Sequence, residues 1–283
     1  MGHRNIDDTT RAVREALGKR SEPVSRLGYF CAPFRPAQGP LRDCVIKTYR
    51  GGRDMEFLDR LARHHDTYVS CLTQAGVRLP DTQFLILNHT DYAQPVIVQT
   101  ALPQQHLLRP QLETADIETA VALLDQVANT IAAFWAAVAQ HPGRIGYHPS
   151  IRNFALDENG PVFFDTFPPL IGYTRREMGD LLLRFSESWL IRLVGPMVPE
   201  RIRAIQDEWY SPAGTIIGLV GSAIRLRPQN TRAIMAWAHE FADTRLRGAM
   251  RTAVLNELSA PPRLSPIWTA TRRILRLEGR PNV

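Results

Sequence analysis

The spacing of apolar residues changes near residue 101, and that change limits the folds open to this chain. Before it, Ser25–Phe34 and Leu41–Tyr49 read as strands joined by the turn-rich connector Arg35-Pro-Ala-Gln-Gly-Pro40. Thr82–Leu87 and Pro95–Thr100 read as two more, separated by the polar turn Asn88-His-Thr-Asp-Tyr. Between the pairs, Asp54–Gln74 carries Phe57, Leu58, Leu61, Val69 and Leu72 at roughly helical spacing, with Gly76 as its stop. Strand, strand, helix, strand, strand is the order of a small antiparallel sheet with one helix packed on it.

Beyond the connector Ala101-Leu-Pro-Gln-Gln the pattern turns helical. Ala115–Gln140 reads as a long alanine-rich helix ended by His141-Pro-Gly, and Arg175 to Leu258 is mostly helical, broken at Pro196, Pro199, Pro212 and Pro228. Ile145–Asp165 holds two short extended pieces around the turn Asp157-Glu-Asn-Gly160. Residues 8–18 form a short amphipathic helix. The expected class is α+β: residues 1–100 as a sheet with one long helix, 101–258 as a helical part, and 259–283 as a basic tail. That tail sets Trp268, Ile274 and Leu275 opposite Arg272, Arg273 and Arg276, which suits a helix docked on the body or a contact with an acidic membrane surface.

With 283 residues, 44% of them hydrophobic and 22% charged, the chain has globular composition and enough length for a sizeable core. A formal charge of +6 points to anionic partners such as nucleotides or phosphorylated metabolites. No basic block with interleaved aromatics marks a nucleic-acid surface, so none is expected as a partner. Cys31, Cys44 and Cys71 are scattered and odd in number, which favours a reducing compartment over a disulfide framework. The start, Met1-Gly-His-Arg-Asn-Ile-Asp-Asp, lacks the apolar core of a signal peptide, and apolar runs such as Thr215–Val220 are too short to cross a bilayer. The expectation is a soluble, cytoplasmic protein.

Only two of the 34 cationic residues are lysines, and one of them, Lys47, interrupts the apolar run Cys44-Val-Ile-Lys-Thr-Tyr49. Lysine is a compact point charge where arginine is a planar fork, so the exchange is not neutral at a phosphate. An edge-strand lysine snorkelling to water is the plain alternative. A hundred residues on come His148-Pro-Ser-Ile-Arg-Asn153 and Phe163-Phe-Asp165. Phosphoryl transfer needs a cation on the nucleotide phosphates, oxygen ligands for magnesium, and a group that places the acceptor hydroxyl. Lys47 suits the first task. Asn153 and Asp165 offer the hard oxygen donors that magnesium prefers. Adjacent on a helix, His64 and His65 point different ways and do not chelate one metal together, and Ser150, Ser186 and Ser222 lack the context of an activated nucleophile.

These segments resemble a protein-kinase-like phosphotransferase of the aminoglycoside and choline kinase type, over roughly residues 20–185. Pro95-Val-Ile-Val-Gln-Thr-Ala-Leu-Pro103 resembles the strand and hinge that hold adenine, which implies roles for Gln99 and Ala101. His148–Asn153 resembles the catalytic loop, and Phe164-Asp-Thr-Phe-Pro-Pro169 the metal-binding segment. The resemblance implies a bilobal kinase-like fold, ATP and magnesium as cofactors, and a small-molecule acceptor. Lys47 then takes the phosphates, Asp165 the first metal and Asn153 the second.

An acidic partner for the lysine is expected on the first long helix, where Glu56, Asp59 and Asp66 recur on nearly one face and Asp66 falls nearest the family position. Two departures stand out. No full glycine-rich motif covers the phosphates, and Leu27-Gly28-Tyr-Phe30 is the candidate for that hairpin. The position five before Asn153, where the family has its catalytic aspartate, holds His148, and no carboxylate lies between Gly143 and Asn153. An imidazole can accept a hydroxyl proton, so the leading expectation is γ-phosphoryl transfer to a hydroxyl of a small metabolite, with His148 and Asp165 as the catalytic pair. A pseudokinase that binds nucleotide without turnover is the rival, and nucleotidyl transfer on the same fold is a third.

Overall fold

The computed structural model describes residues 5–19, 30–186, 192–193, 195–197 and 199–262. Gly28, most of the strand expected over Ser25–Phe34, and the tail from 263 to 283 lie outside the described residues.

The chain is α+β, with a small antiparallel sheet followed by a helical part. Three strands, β1 (Cys44–Thr48), β2 (Thr82–Asn88) and β3 (Ala93–Thr100), form a sheet in the order β1-β3-β2. All neighbours are antiparallel, with Lys47 opposite Ile97 and Gln83 opposite Val98. Phe34 forms an isolated bridge with Ile46, the described end of the expected first strand.

Side-chain alternation divides the sheet into two faces. Cys44, Ile46, Leu85, Leu87, Val96 and Val98 pack with Ala12 and Val13 of α1 (Ile6–Gly18) in a small core. Lys47 is one residue out of phase with that set and faces the other way. The second face meets α2 (Met55–Gln74), capped at its start by the Asp54 side chain accepting from the Phe57 N–H. The buried positions of α2 are Leu58, Leu61, His65, Tyr68 and Leu72, an unbroken stripe at three- and four-residue steps.

That stripe enters the larger core, which continues through the helical part. The change of pattern at residue 101 therefore marks a change of secondary structure but not a division of the core. The helical part comprises α3 (Leu108–Thr114), α4 (Ile117–Ala137), the hairpin β4 (Phe154–Asp157) and β5 (Gly160–Phe163), α5 (Arg175–Phe185), α6 (Pro199–Ile205), α7 (Pro212–Leu226), α8 (Thr231–Arg245) and α9 (Gly248–Glu257). By length and composition alone α4 would span a bilayer. In this fold it is a core helix, with Leu124, Val127, Ile131 and Phe134 buried.

Two joints tie the sheet part to the hairpin and to the loop before it. Arg78, in the α2–β2 connector, bridges Val162 in parallel, and its guanidinium grips Asp157 in a fork at 2.8 and 2.9 Å. Tyr68 of α2 donates its hydroxyl to the Gly146 carbonyl at 3.2 Å. The first joint sets the hairpin, the second the loop before it.

Candidate functional site

The loop after α4 is fixed residue by residue. Gly146 N–H donates to the Leu170 carbonyl and Tyr147 N–H to the Trp209 carbonyl, both at 2.7 Å. The Tyr147 ring is fully buried beside Phe134 and Phe163. His148 is thereby projected outward, about a third exposed, with its ring against Trp209 at 4.4 Å between centroids. A tight turn follows, with Ser150 N–H donating to the His148 carbonyl and Asn153 N–H to the Ser150 carbonyl.

Asn153 then joins the loop to the hairpin. Its Nδ2 donates to the His148 carbonyl at 2.9 Å and to Asp165 Oδ2 at 3.0 Å, while its carbonyl accepts from the Phe164 N–H. Asp165 follows β5, and its Oδ2 lies 3.6 Å from His148 Nδ1. From the sheet side, Lys47 Nζ donates to the Phe164 carbonyl at 2.7 Å and lies 5.7 Å from the centre of that ring. Four of the residues singled out in the sequence, Lys47, His148, Asn153 and Asp165, thus converge from elements more than a hundred positions apart.

The electrostatics follow the burial. Lys47 is almost wholly enclosed, and desolvation pulls its pKa below the ordinary lysine value, opposed by the neighbouring Asp165 carboxylate and the Cys31 thiol. Tyr49, two residues on, is driven well above a normal phenol by burial, next to the same two groups. Its ring stacks on Phe167 at 3.8 Å. The Asn153 amide nitrogen occupies Asp165 Oδ2, and among the described residues no hydrogen bond occupies Asn153 Oδ1 or Asp165 Oδ1. The amide nitrogen of Asn153, not its oxygen, faces Asp165; Asn153 Oδ1 and Asp165 Oδ1 are the hard oxygens these two residues could offer a magnesium ion. Among the described residues no group of three His, Cys, Asp or Glu side chains would hold a metal on its own.

The remaining expected residues are placed elsewhere. Asp66 is turned to solvent, with 78% of its side chain exposed, and Glu56 and Asp59 are exposed as well. No bond joins any of the three to Lys47 among the described residues. The α2 residue that faces the cluster is His65, 1% exposed, with Nε2 3.0 Å from the Thr166 hydroxyl. Burial lowers its pKa, opposed by the Asp66 carboxylate, and Lys47 acts in the same direction as burial. Its Nδ1 is 3.9 Å from Asp66 Oδ1, beyond hydrogen-bonding distance, and is buried without a hydrogen-bond partner. The expectation of an acidic partner on this helix is corrected: a neutral imidazole stands there, one residue before the carboxylate singled out. The buried stripe 58-61-65-68-72 was the signal that marks it.

Gln99 is buried and donates its side-chain amide to Thr82 Oγ1 at 3.0 Å, inside the sheet. The Ala101 N–H is engaged by the Asp43 carbonyl at 2.9 Å, which leaves that residue its carbonyl but not its donor for an adenine edge. Gly28 lies outside the described residues. A cavity of about 370 Å³ is lined by Ala32, Thr48, Tyr49, Arg50, Gln94, Ser186 and Arg192, so it lies past Lys47 along β1 and excludes the four convergent residues.

One further group near the cluster comes from far along the chain. The 3-10 turn Asp207–Tyr210 packs on the His148 loop, and its Glu208 carboxyl is raised in pKa by desolvation, with His148 and Arg225 acting in the opposite direction. Nothing in the local sequence announces this packing, because only the tertiary fold brings the 207–210 turn to the His148 loop.

The model of a family of unknown function, DUF6206, matches residues 8–279. The chain belongs to DUF6206. No curated protein matches it. The DUF6206 match covers both the sheet part and the helical part, so it embraces Lys47, Asn153 and Asp165 together.

Proposed function

We propose that this DUF6206 protein is an ATP- and magnesium-dependent phosphotransferase acting on a hydroxyl of a small metabolite. On this reading the sheet part and the helical part are the two lobes of a kinase-like fold. The observation that supports it is that Lys47 donates to the Phe164 carbonyl, next in the chain to Asp165, whose carboxylate accepts from the Asn153 amide.

Each residue's task follows from its chemistry. Lys47 binds the nucleotide phosphates, exchanging the Phe164 carbonyl for a phosphate oxygen; as a strongly desolvated cation it gains most from an anion. Asn153 and Asp165 hold magnesium, which when bound screens the phosphate charge. His148, beside Asp165 and stacked on Trp209, positions the acceptor hydroxyl or takes its proton. In the reaction the acceptor oxygen bonds to the γ-phosphorus as the bond to the β–γ bridging oxygen breaks. ADP leaves with that electron pair.

A pseudokinase is the second reading, favoured by two observations. An imidazole stands where the resembled family has a carboxylate, and the Lys47 amine is satisfied by a main-chain carbonyl. Turnover of ATP across a panel of hydroxylated metabolites separates the two, comparing the native chain with Asp165→Ala and His148→Ala. Product formation that both substitutions abolish supports the enzyme. Nucleotide binding with no product from the native chain supports the module.

A further inference from the structure

The cavity of about 370 Å³ past the end of β1 has no task in the reaction proposed above, and its lining is unbalanced in charge. Among the described residues it is walled by Arg50 and Arg192 and by no Asp or Glu. Its volume is that of a small-molecule site. Three elements meet there: the end of β1 with Thr48 and Tyr49, the start of β3 with Gln94, and Ser186, the residue that closes α5.

Two main-chain acceptors of the lining residues are already engaged. The Tyr49 carbonyl accepts from Gln94 Nε2 at 3.0 Å, and the Ser186 carbonyl accepts from Arg192 Nη1. The second bond also answers the negative pole of α5, which ends at Phe185. Arg50 has no such duty. It is exposed, and among the described residues no hydrogen bond or ion pair engages its side chain. Its backbone is nevertheless held on both sides. The Tyr49 N–H donates to the Pro95 carbonyl at 3.0 Å, and Gly52 and Ala93 exchange two bonds at 2.8 Å.

A second unmatched group belongs to Ser186, which is 1% exposed. Its Oγ is buried with no hydrogen-bond partner among the described residues. A buried hydroxyl left in that state is costly. An oxygen-rich ligand in the cavity that Ser186 lines would relieve it, and the surplus guanidinium makes that ligand an anion.

We propose that this cavity binds a phosphate group, free or carried by a small metabolite, at Arg50, Arg192 and Ser186. A phosphate dianion matches two guanidiniums, and its terminal oxygens can accept from donors on separate elements. A carboxylate has fewer oxygens and is satisfied by one guanidinium fork. The lining excludes Lys47, Asn153 and Asp165, so the assignment stands apart from the phosphotransferase reading.

The test is calorimetric titration of inorganic phosphate, glycerol phosphate and acetate, at fixed ionic strength without magnesium, into the native chain, Arg50→Gln and Ser186→Ala. Saturable one-site binding of phosphate is expected, with acetate weaker by about tenfold or more. Arg50→Gln should weaken phosphate by about tenfold or more, and Ser186→Ala by about threefold or more. Ser186→Ala should melt no lower than native, since its hydroxyl gives up no bond. Tighter binding of glycerol phosphate than of inorganic phosphate identifies a phosphorylated metabolite as the ligand, and equal affinity identifies free phosphate; both support the site. Phosphate affinity of Arg50→Gln within about twofold of native overturns the assignment, as does the absence of saturable phosphate binding by the native chain at about 10 mM. Acetate bound as tightly as phosphate overturns it too.

Discussion

Asn153 and Asp165 are joined side chain to side chain, Nδ2 donating to Oδ2 at 3.0 Å, and the same nitrogen holds the His148 carbonyl. One amide thus sets the distance between the His148 loop and the segment that follows β5. Asn153→Ala leaves a half-buried carboxylate and a carbonyl without this donor, at an expected loss of about 1–3 kcal/mol of stability. Urea unfolding measures it, and a midpoint unchanged from native would show that the amide is not what holds loop and hairpin together.

His65 and Asp66 make opposite predictions for neighbouring positions. Asp66→Ala removes an exposed carboxylate with no bond to Lys47, so nucleotide affinity should stay within about twofold. His65→Ala empties a buried site beside Lys47 and Thr166, and both affinity and stability should fall, the latter by about 2–4 kcal/mol. Parallel calorimetry and thermal melts separate the two variants.

The pH dependence of stability carries the His65 signature. Its folded pKa is lowered from 6.5, so the unfolded chain takes up the proton first on acidification. Stability from this group is full above pH 6.5 and falls as pH drops from there towards the folded pKa, at up to about 1.4 kcal/mol per unit. His64 is shifted in the same direction, so the slope of His65→Gln should be shallower than native but not flat. A slope that His65→Gln leaves unchanged between pH 6.5 and 5 would contradict the burial of a neutral imidazole there.

The Arg78–Asp157 fork should appear at lower pH. Asp157 is held down to about 2 from 3.8, chiefly by its hydrogen bonds from Arg78, with an added bond from the Asn159 N–H. Its stabilisation is present above pH 3.8 and is lost as pH falls towards 2. Both partners are partly exposed, so Asp157→Asn should cost about 1 kcal/mol near neutrality after solvent screening. Its acid unfolding should lack the contribution that the native chain loses in that window.

Gly146→Ala tests how tightly the 207–210 turn is fitted to the His148 loop. The new methyl would lie 2.9 Å from the Trp209 carbonyl oxygen and 3.0 Å from the Tyr210 ring, and the first of these is backbone that does not swing aside. A loss of about 1–3 kcal/mol is expected, read as a lower melting temperature. A native-like melting temperature would mean the turn yields freely.

Much of the fold was legible because periodicity is a local property. The helix expected over Asp54–Gln74 is α2 with Asp54 as its cap, and the pieces around Asp157–Gly160 are β4 and β5. Lys47 was conspicuous because a charge within an apolar strand is rare. Asp66 and the inward-facing His65 differ by a rotation: neighbouring helix positions differ by about 100° in direction, and nearness to the family position does not fix which one faces inward. The buried stripe does. Ala101 falls in a segment that resembles an adenine-binding hinge, and sequence does not reveal that the Asp43 carbonyl engages its amide. The contact of Trp209 with His148 was invisible for a different reason, since it depends on the path of α5 to α7, which no motif encodes.

Calorimetric titration of ADP into the native chain, with and without magnesium, reaches the heart of the account, with Asp165→Ala as the comparison. Saturable one-site binding that magnesium strengthens, and that Asp165→Ala weakens by about tenfold or more, is the predicted result. No binding at millimolar ADP, or the same affinity in Asp165→Ala with and without the metal, would contradict it.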